Sequence, residues 1–146
     1  MGAEELYDLG PFEAEDDWME THLGVARDAR ADRLRFLRLG TGLYLELFQY
    51  IAPDQVKVQP RNSDVGGVHL ALYADDFEAA LAHLIAHGVQ ITGEPTVRTT
   101  GPSAGQTWVY FLAPWGLQLE LVSYPGGKDY ERHTSGRLWD PRNPNA

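Results

Sequence analysis

Leu43-Tyr44-Leu45-Glu46-Leu47-Phe48-Gln49-Tyr50 and Leu117-Gln118-Leu119-Glu120-Leu121-Val122-Ser123-Tyr124 share the pattern L-x-L-E-L-x-x-Y, and a glycine precedes each, Gly42 and Gly116. Leucine at every second position is the period of a half-buried strand. Glutamate is depleted in strands, so its recurrence at the centre of both runs marks a duplicated module. Upstream of the second run, residues 67–73 (Gly67-Val68-His69-Leu70-Ala71-Leu72-Tyr73) also read as a strand. Residues 76–87 carry Phe77, Ala80, Leu81, Leu84 and Ile85 at helical spacing, with Asp75 or Asp76 as N-cap and Gly88 as the stop. Residues 89–97, 107–112 and 117–124 read as three further strands, so the second module is strand, helix, strand, strand, strand.

The first module is shorter at its start. Residues 6–12, 33–39 and 43–51 read as strands, the last two joined through Gly40-Thr41-Gly42 as a hairpin. An acidic stretch, 13–20, runs into one or two helical turns at 18–23. Moving His69 back by the offset that relates Glu120 to Glu46 lands ahead of Met1, and Gly2-Ala3-Glu4-Glu5-Leu6 resembles the helix exit at Gly88-Val89-Gln90-Ile91. The expectation is therefore a first module without its opening strand and helix in this sequence, and its interval from Gly2 to Gly42 is longer than that from Gly88 to Gly116. The expected organisation is an incomplete first module over 1–51, a linker rich in turn formers over 52–64, a complete βαβββ module over 65–124, and an extension over 125–146 packed on the surface or on a partner. The fold class is α+β, with two βαβββ-type modules forming a curved mixed sheet around a cavity.

The chain has 146 residues, 43% of them hydrophobic and 23% charged, which is enough apolar material for a packed core. Twelve Lys and Arg against 21 Asp and Glu leave a net charge of −9, without the basic footprint that a nucleic-acid backbone requires. There is no cysteine, which excludes disulfides, thiolate metal sites and a cysteine nucleophile. The first residues lack a secretory pattern and no apolar run is long enough to span a bilayer, so a cytoplasmic protein is expected.

Strand alternation sorts the chemistry by face. Tyr44, Glu46, Phe48 and Tyr50 share one face, Gln118, Glu120, Val122 and Tyr124 share another, and His69 lies with Ala71 and Tyr73. Where these faces converge, Glu46, His69 and Glu120 form a carboxylate–imidazole set suited to a divalent ion, Ni, Co, Mn, Fe or Zn, with positions open for substrate. Either Glu120 or Glu46 could double as a catalytic base. Tyr44, Phe48, Tyr73, Trp108, Tyr110 and Trp115 either line a ligand pocket or pack a core. His83 and His87 stand one helical turn apart on a polar face without the glutamate of a zinc-protease motif, and His22 and His133 lie in polar segments. The loop Gly101-Pro102-Ser103-Ala104-Gly105 lacks the spacing of a phosphate loop, and no nucleophile elbow is present.

These modules, with Gly67-Val68-His69-Leu70-Ala71, Asp75-Asp76-Phe77-Glu78-Ala79-Ala80, His87-Gly88-Val89 and the run Phe111-Leu112-Ala113-Pro114-Trp115-Gly116-Leu117-Gln118-Leu119-Glu120-Leu121, resemble the vicinal oxygen chelate superfamily, also called the glyoxalase/bleomycin-resistance/dioxygenase family. The resemblance covers about residues 2–124 and is strongest over 66–124. It implies Glu46, His69 and Glu120 as metal ligands, and the glutamate at 46 is closer to the glyoxalase I and methylmalonyl-CoA epimerase pattern than to that of the ring-cleaving dioxygenases. The family's first histidine belongs to an opening strand outside this chain. An open sheet edge at that point predicts a homodimer. The leading reading is a metal-dependent isomerase, epimerase or lyase acting on a small oxygenated substrate. The alternatives are a non-catalytic drug- or natural-product-binding protein similar to bleomycin-resistance proteins, and a degenerate copy without activity.

Overall fold

The computed structural model describes residues 3–40 and 43–138. Thr41 and Gly42 of the expected hairpin turn, and 139–146 of the extension, lie outside the described residues. The chain is α+β and divides between Lys57 and Val58 into two compact units, each with its own sheet.

In the first unit β1 (Ala3–Leu9), β2 (Arg30–Leu39) and β3 (Leu43–Ile51) form an antiparallel sheet in the order β1-β2-β3, with α1 (Trp18–Leu23) between β1 and β2. The first strand was expected over 6–12 and starts earlier. It ends before Pro11, which has no N–H to donate, and Phe12 returns only as an isolated bridge to Ala31. Charge complementarity adds to the β1–β2 pairing: Arg33 meets Asp8 at 2.6 Å, Arg35 approaches Glu5 and Asp8 at 3.5 Å, and Arg38 pairs with Glu4. The Arg33 guanidinium holds the Asp8 carboxyl below its ordinary pKa. Met19 of α1 is fully buried, as is Ala31 of β2.

In the second unit β4 (Leu70–Tyr73), β5 (Ile91–Val97), β6 (Thr107–Leu112) and β7 (Gln118–Ser123) form a mixed sheet in the order β4-β7-β6-β5. β4 runs parallel to β7 and the other pairs are antiparallel. Between β4 and β5 lies α2 (Phe77–Ala86), capped at both ends as its sequence dictates. The Asp76 carboxylate accepts from the Ala79 N–H at 2.9 Å. At the other end Val89 N–H donates to Leu84 C=O and Gly88 N–H to Ile85 C=O, closing a left-handed turn at Gly88 with φ of 69°. Phe77 and Leu84 of α2 pack with Val109, Phe111, Leu119 and Leu121 to form the core. After β7 the chain makes a short 3-10 turn, η1 (Asp129–Arg132), and folds back on the loop between β5 and β6.

Removing the cap and removing core volume should differ in cost. Asp76→Ala is expected to destabilise the protein by about 1 kcal/mol and Leu84→Ala by about 2–5 kcal/mol in chemical denaturation; equal costs for Leu84→Ala and the exposed Ile85→Ala would contradict the packing. The Asp8 pair sets a pH dependence with a definite sign. Because its folded pKa is depressed, its contribution is present above the ordinary carboxylate pKa and is lost as pH falls through the folded value. Asp8→Asn is expected to flatten that acid limb of a stability–pH profile.

Candidate functional site

Register in the second sheet determines which side chains meet. Ala71 and Tyr110 lie opposite Glu120, Tyr73 and Trp108 lie opposite Val122, and all of these project away from the α2 core. His69 directly precedes β4, which begins at Leu70 rather than at the expected Gly67, and its position one pleat before Ala71 puts its ring on the same face. His69 Nε2 lies 3.1 Å from Glu120 Oε2. The carboxylate is nearly covered, at 12% side-chain exposure, while the imidazole is more open at 35%. Tyr110 meets the His69 ring edge-on at 5.1 Å between centroids, and Trp108 packs on Tyr110 at 4.9 Å. Burial, and secondarily the Glu120 charge, raise the Tyr110 pKa, which favours the protonated phenol, a form able to donate.

The His69–Glu120 pair also fits an ion. Donor atoms held at 2.0–2.2 Å from a metal stand about 3.0 Å apart across a right angle and about 3.4 Å apart across a tetrahedral angle. A separation of 3.1 Å therefore matches one edge of such a shell, with one nitrogen and one oxygen donor of the kinds that borderline divalent ions accept. Among the described residues of this unit, no third His, Asp or Glu joins them.

Glu46, Tyr44 and Phe48 belong to the first unit. Glu46 is exposed at mid-β3, opposite Phe36 in register. Phe36 stacks on Tyr7 at 4.2 Å, and Phe48 on Tyr50 at 5.3 Å, so this face is aromatic around the carboxylate. Tyr44 is largely exposed, as is Trp115 in the turn between β6 and β7. His83 and His87 lie side by side on α2, His87 Nδ1 being 2.8 Å from the His83 carbonyl. His22 stacks on Trp18 and His133 Nε2 lies 3.4 Å from Asp129 Oδ2.

One side chain at the site carries no signal in the sequence pattern. Lys128, from the segment after β7, places its ammonium 4.2 Å from the centre of the Tyr124 ring. Tyr124 follows β7 in the alternation that includes Glu120 and Val122, and it packs against Tyr73 at 4.8 Å. Only the folding back of the chain brings Lys128 there.

Comparison with known proteins agrees with this architecture. The chain is 49% identical over 142 residues to 2-epi-5-epi-valiolone epimerase of Actinomyces sp, the match covering 97% of this chain and 76% of that one. It is 35% identical over 98 residues to the uncharacterized protein YaeR of Escherichia coli (strain K12), covering 66% and 70% of the two chains. Among solved structures, a glyoxalase family protein from Enterococcus faecalis superposes with a TM-score of 0.54 at 25% identity, over 84% of this chain and 79% of that one. One from Bacillus cereus, at 16% identity, shares the fold with a TM-score of 0.60, over 84% and 78%. Residues 13–121 match the model of the family, and the chain belongs to the Glyoxalase/Bleomycin resistance protein/Dioxygenase superfamily.

Proposed function

We propose that this chain is a divalent-metal-dependent epimerase that inverts a carbon beside the carbonyl of a small, oxygen-rich ketone, with 2-epi-5-epi-valiolone as the substrate to offer it first. The observation that carries this reading is the 49% identity to the enzyme of that name, sustained across 97% of this chain. The paired His69 and Glu120 on an aromatic face support it chemically. These two residues would hold the ion, one of Ni, Co, Mn, Fe or Zn. On the strength of the repeat alone, the ligand assignment extends to Glu46. When bound, such an ion supplies Lewis acidity that polarises a carbonyl.

The rest is the work of side chains. Epimerisation needs a base to take a proton from one face of the carbon and an acid to return one to the other. Glu120 is the proposed base, nearly covered and so shielded from competing water. The protonated Tyr110 phenol orients the substrate by donating to one of its oxygens, while Trp108 and Tyr73 supply apolar wall on either side.

The test joins composition to reaction. Protein purified without chelator or nickel affinity resin is expected to carry near-stoichiometric transition metal by mass spectrometry, to interconvert 2-epi-5-epi-valiolone with its epimer, and to exchange the inverted hydrogen with deuterated water. Glu120→Gln should lower kcat/KM about 10²–10⁴-fold, and Glu46→Gln and Glu120→Ala should both lower metal content. A protein that takes up none of the five metals and exchanges no hydrogen would sink the proposal. Among the described residues no strand pairs with the outer edge of β3, and an open edge invites a second chain. A homodimer is therefore proposed; light scattering that gives a monomer at micromolar concentration would contradict it.

A further inference from the structure

Lysine occurs at only two positions, Lys57 and Lys128. The backbone around Lys128 is tied down on both sides. Its own N–H donates to Glu131 Oε1 at 3.1 Å, the N–H groups of Asp129 and Tyr130 donate to the carbonyls of Ala104 and Pro102 at 3.0 Å, and Gly127 N–H donates to Tyr124 C=O at 2.9 Å. The side chain runs from this anchored point onto the Tyr124 ring and is partly buried there.

The ammonium has no carboxylate within ion-pairing distance among the described residues, whereas Arg30, Arg33, Arg35, Arg38, Arg61 and Arg132 all have one. Burial draws its pKa down, and the charges of Glu120 and Glu131 oppose that pull, so Lys128 lies within the field of the proposed base without neutralising it. A partly desolvated cation on an anchored stretch of backbone, with no carboxylate in ion-pairing contact among the described residues, is prepared for an anion that arrives or forms during use.

We propose that Lys128 is a catalytic residue whose ammonium binds the negatively charged oxygen generated when the substrate loses its proton. The inference rests on the epimerase reading. In the step concerned, the C–H bond beside the carbonyl breaks and its proton passes to Glu120. The C–H electron pair becomes the carbon–carbon π bond, and the carbonyl π pair moves onto oxygen, which becomes an oxyanion. A solvent proton delivered to the opposite face of the carbon restores the carbonyl and releases the epimer, and Glu120 returns its proton to solvent, so protons balance and no oxidant or reductant is needed. Lys128 faces that oxygen and stabilises charge present only after the proton has left, so its effect falls on kcat rather than on KM.

Two measurements test this independently. Reductive methylation with ¹³C-formaldehyde labels Lys57, Lys128 and the amino terminus while preserving their charge, and K57R assigns the signals. Oxalate serves as a planar oxyanion probe, added to the metal-free and to the zinc-loaded protein. The Lys128 resonance is expected to shift saturably while that of Lys57 stays in place; no shift in either form overturns the proposal. In the second measurement K128Q is expected to lower kcat by about 10²–10³-fold with KM little changed, and K128R to recover part of the loss. A change in KM alone, or normal kcat in a folded K128Q, also overturns it. Wild-type protein that epimerises nothing refutes the underlying reaction, while the oxalate titration still decides whether Lys128 meets an oxyanion.

Discussion

The site in the second unit depends on one constraint, the two-residue period of β7. Leu119 and Leu121 are drawn into the core against Phe77 and Leu84 of α2, and each buried leucine is worth about 1.5–3 kcal/mol relative to exposure. With the leucines so fixed, Glu120 has only the opposite face available. A shift of one residue would bury the glutamate under the helix and expose both leucines, so packing on one side of the sheet holds the carboxylate on the other. β4 and β6 then set its neighbours by register, bringing Tyr110 directly opposite and the His69 ring to 3.1 Å.

The first unit shows the same sequence device in a different setting. β3 carries the matching leucines and Glu46, yet it is the edge of its sheet, whereas β7 is interior between β4 and β6. Leu43 and Leu47 remain exposed, and Glu46 faces Phe36 across β2 much as Glu120 faces Tyr110 across β6, but among the described residues no strand on the other side of β3 brings a histidine beside it as β4 does for Glu120. Strand pattern alone specifies which face a glutamate takes; neighbouring elements specify what it meets.

That difference also explains what could be read in advance. The helix at α2 was legible to within a residue because Asp76, the spacing of Phe77 and Leu84, and Gly88 each impose a local condition that the backbone meets directly. β3, β6 and β7 were legible from alternation, and the repeated glutamate led to Glu120 and, with His69, to the closest pair of candidate ligands. Less was legible at the start of β1, where cross-strand arginine pairing extends the strand beyond its apolar run. Lys128 was not legible at all. Its place comes from hydrogen bonds between main-chain atoms of distant loops, which leave no periodicity and no residue signature.

The contact between those loops couples a remote position to the site. Gly105 has φ of 98°, and a Cβ there would stand 2.6 Å from the Gly127 carbonyl oxygen. Any side chain at 105 would prise the returning segment off the β5–β6 loop while leaving β7 and its glutamate in register. The glycine thus acts as a latch: the sheet can be preserved intact while the lysine's mooring is lost, so the endurance of the fold and the assembly of its cationic corner are separately inherited properties of the chain.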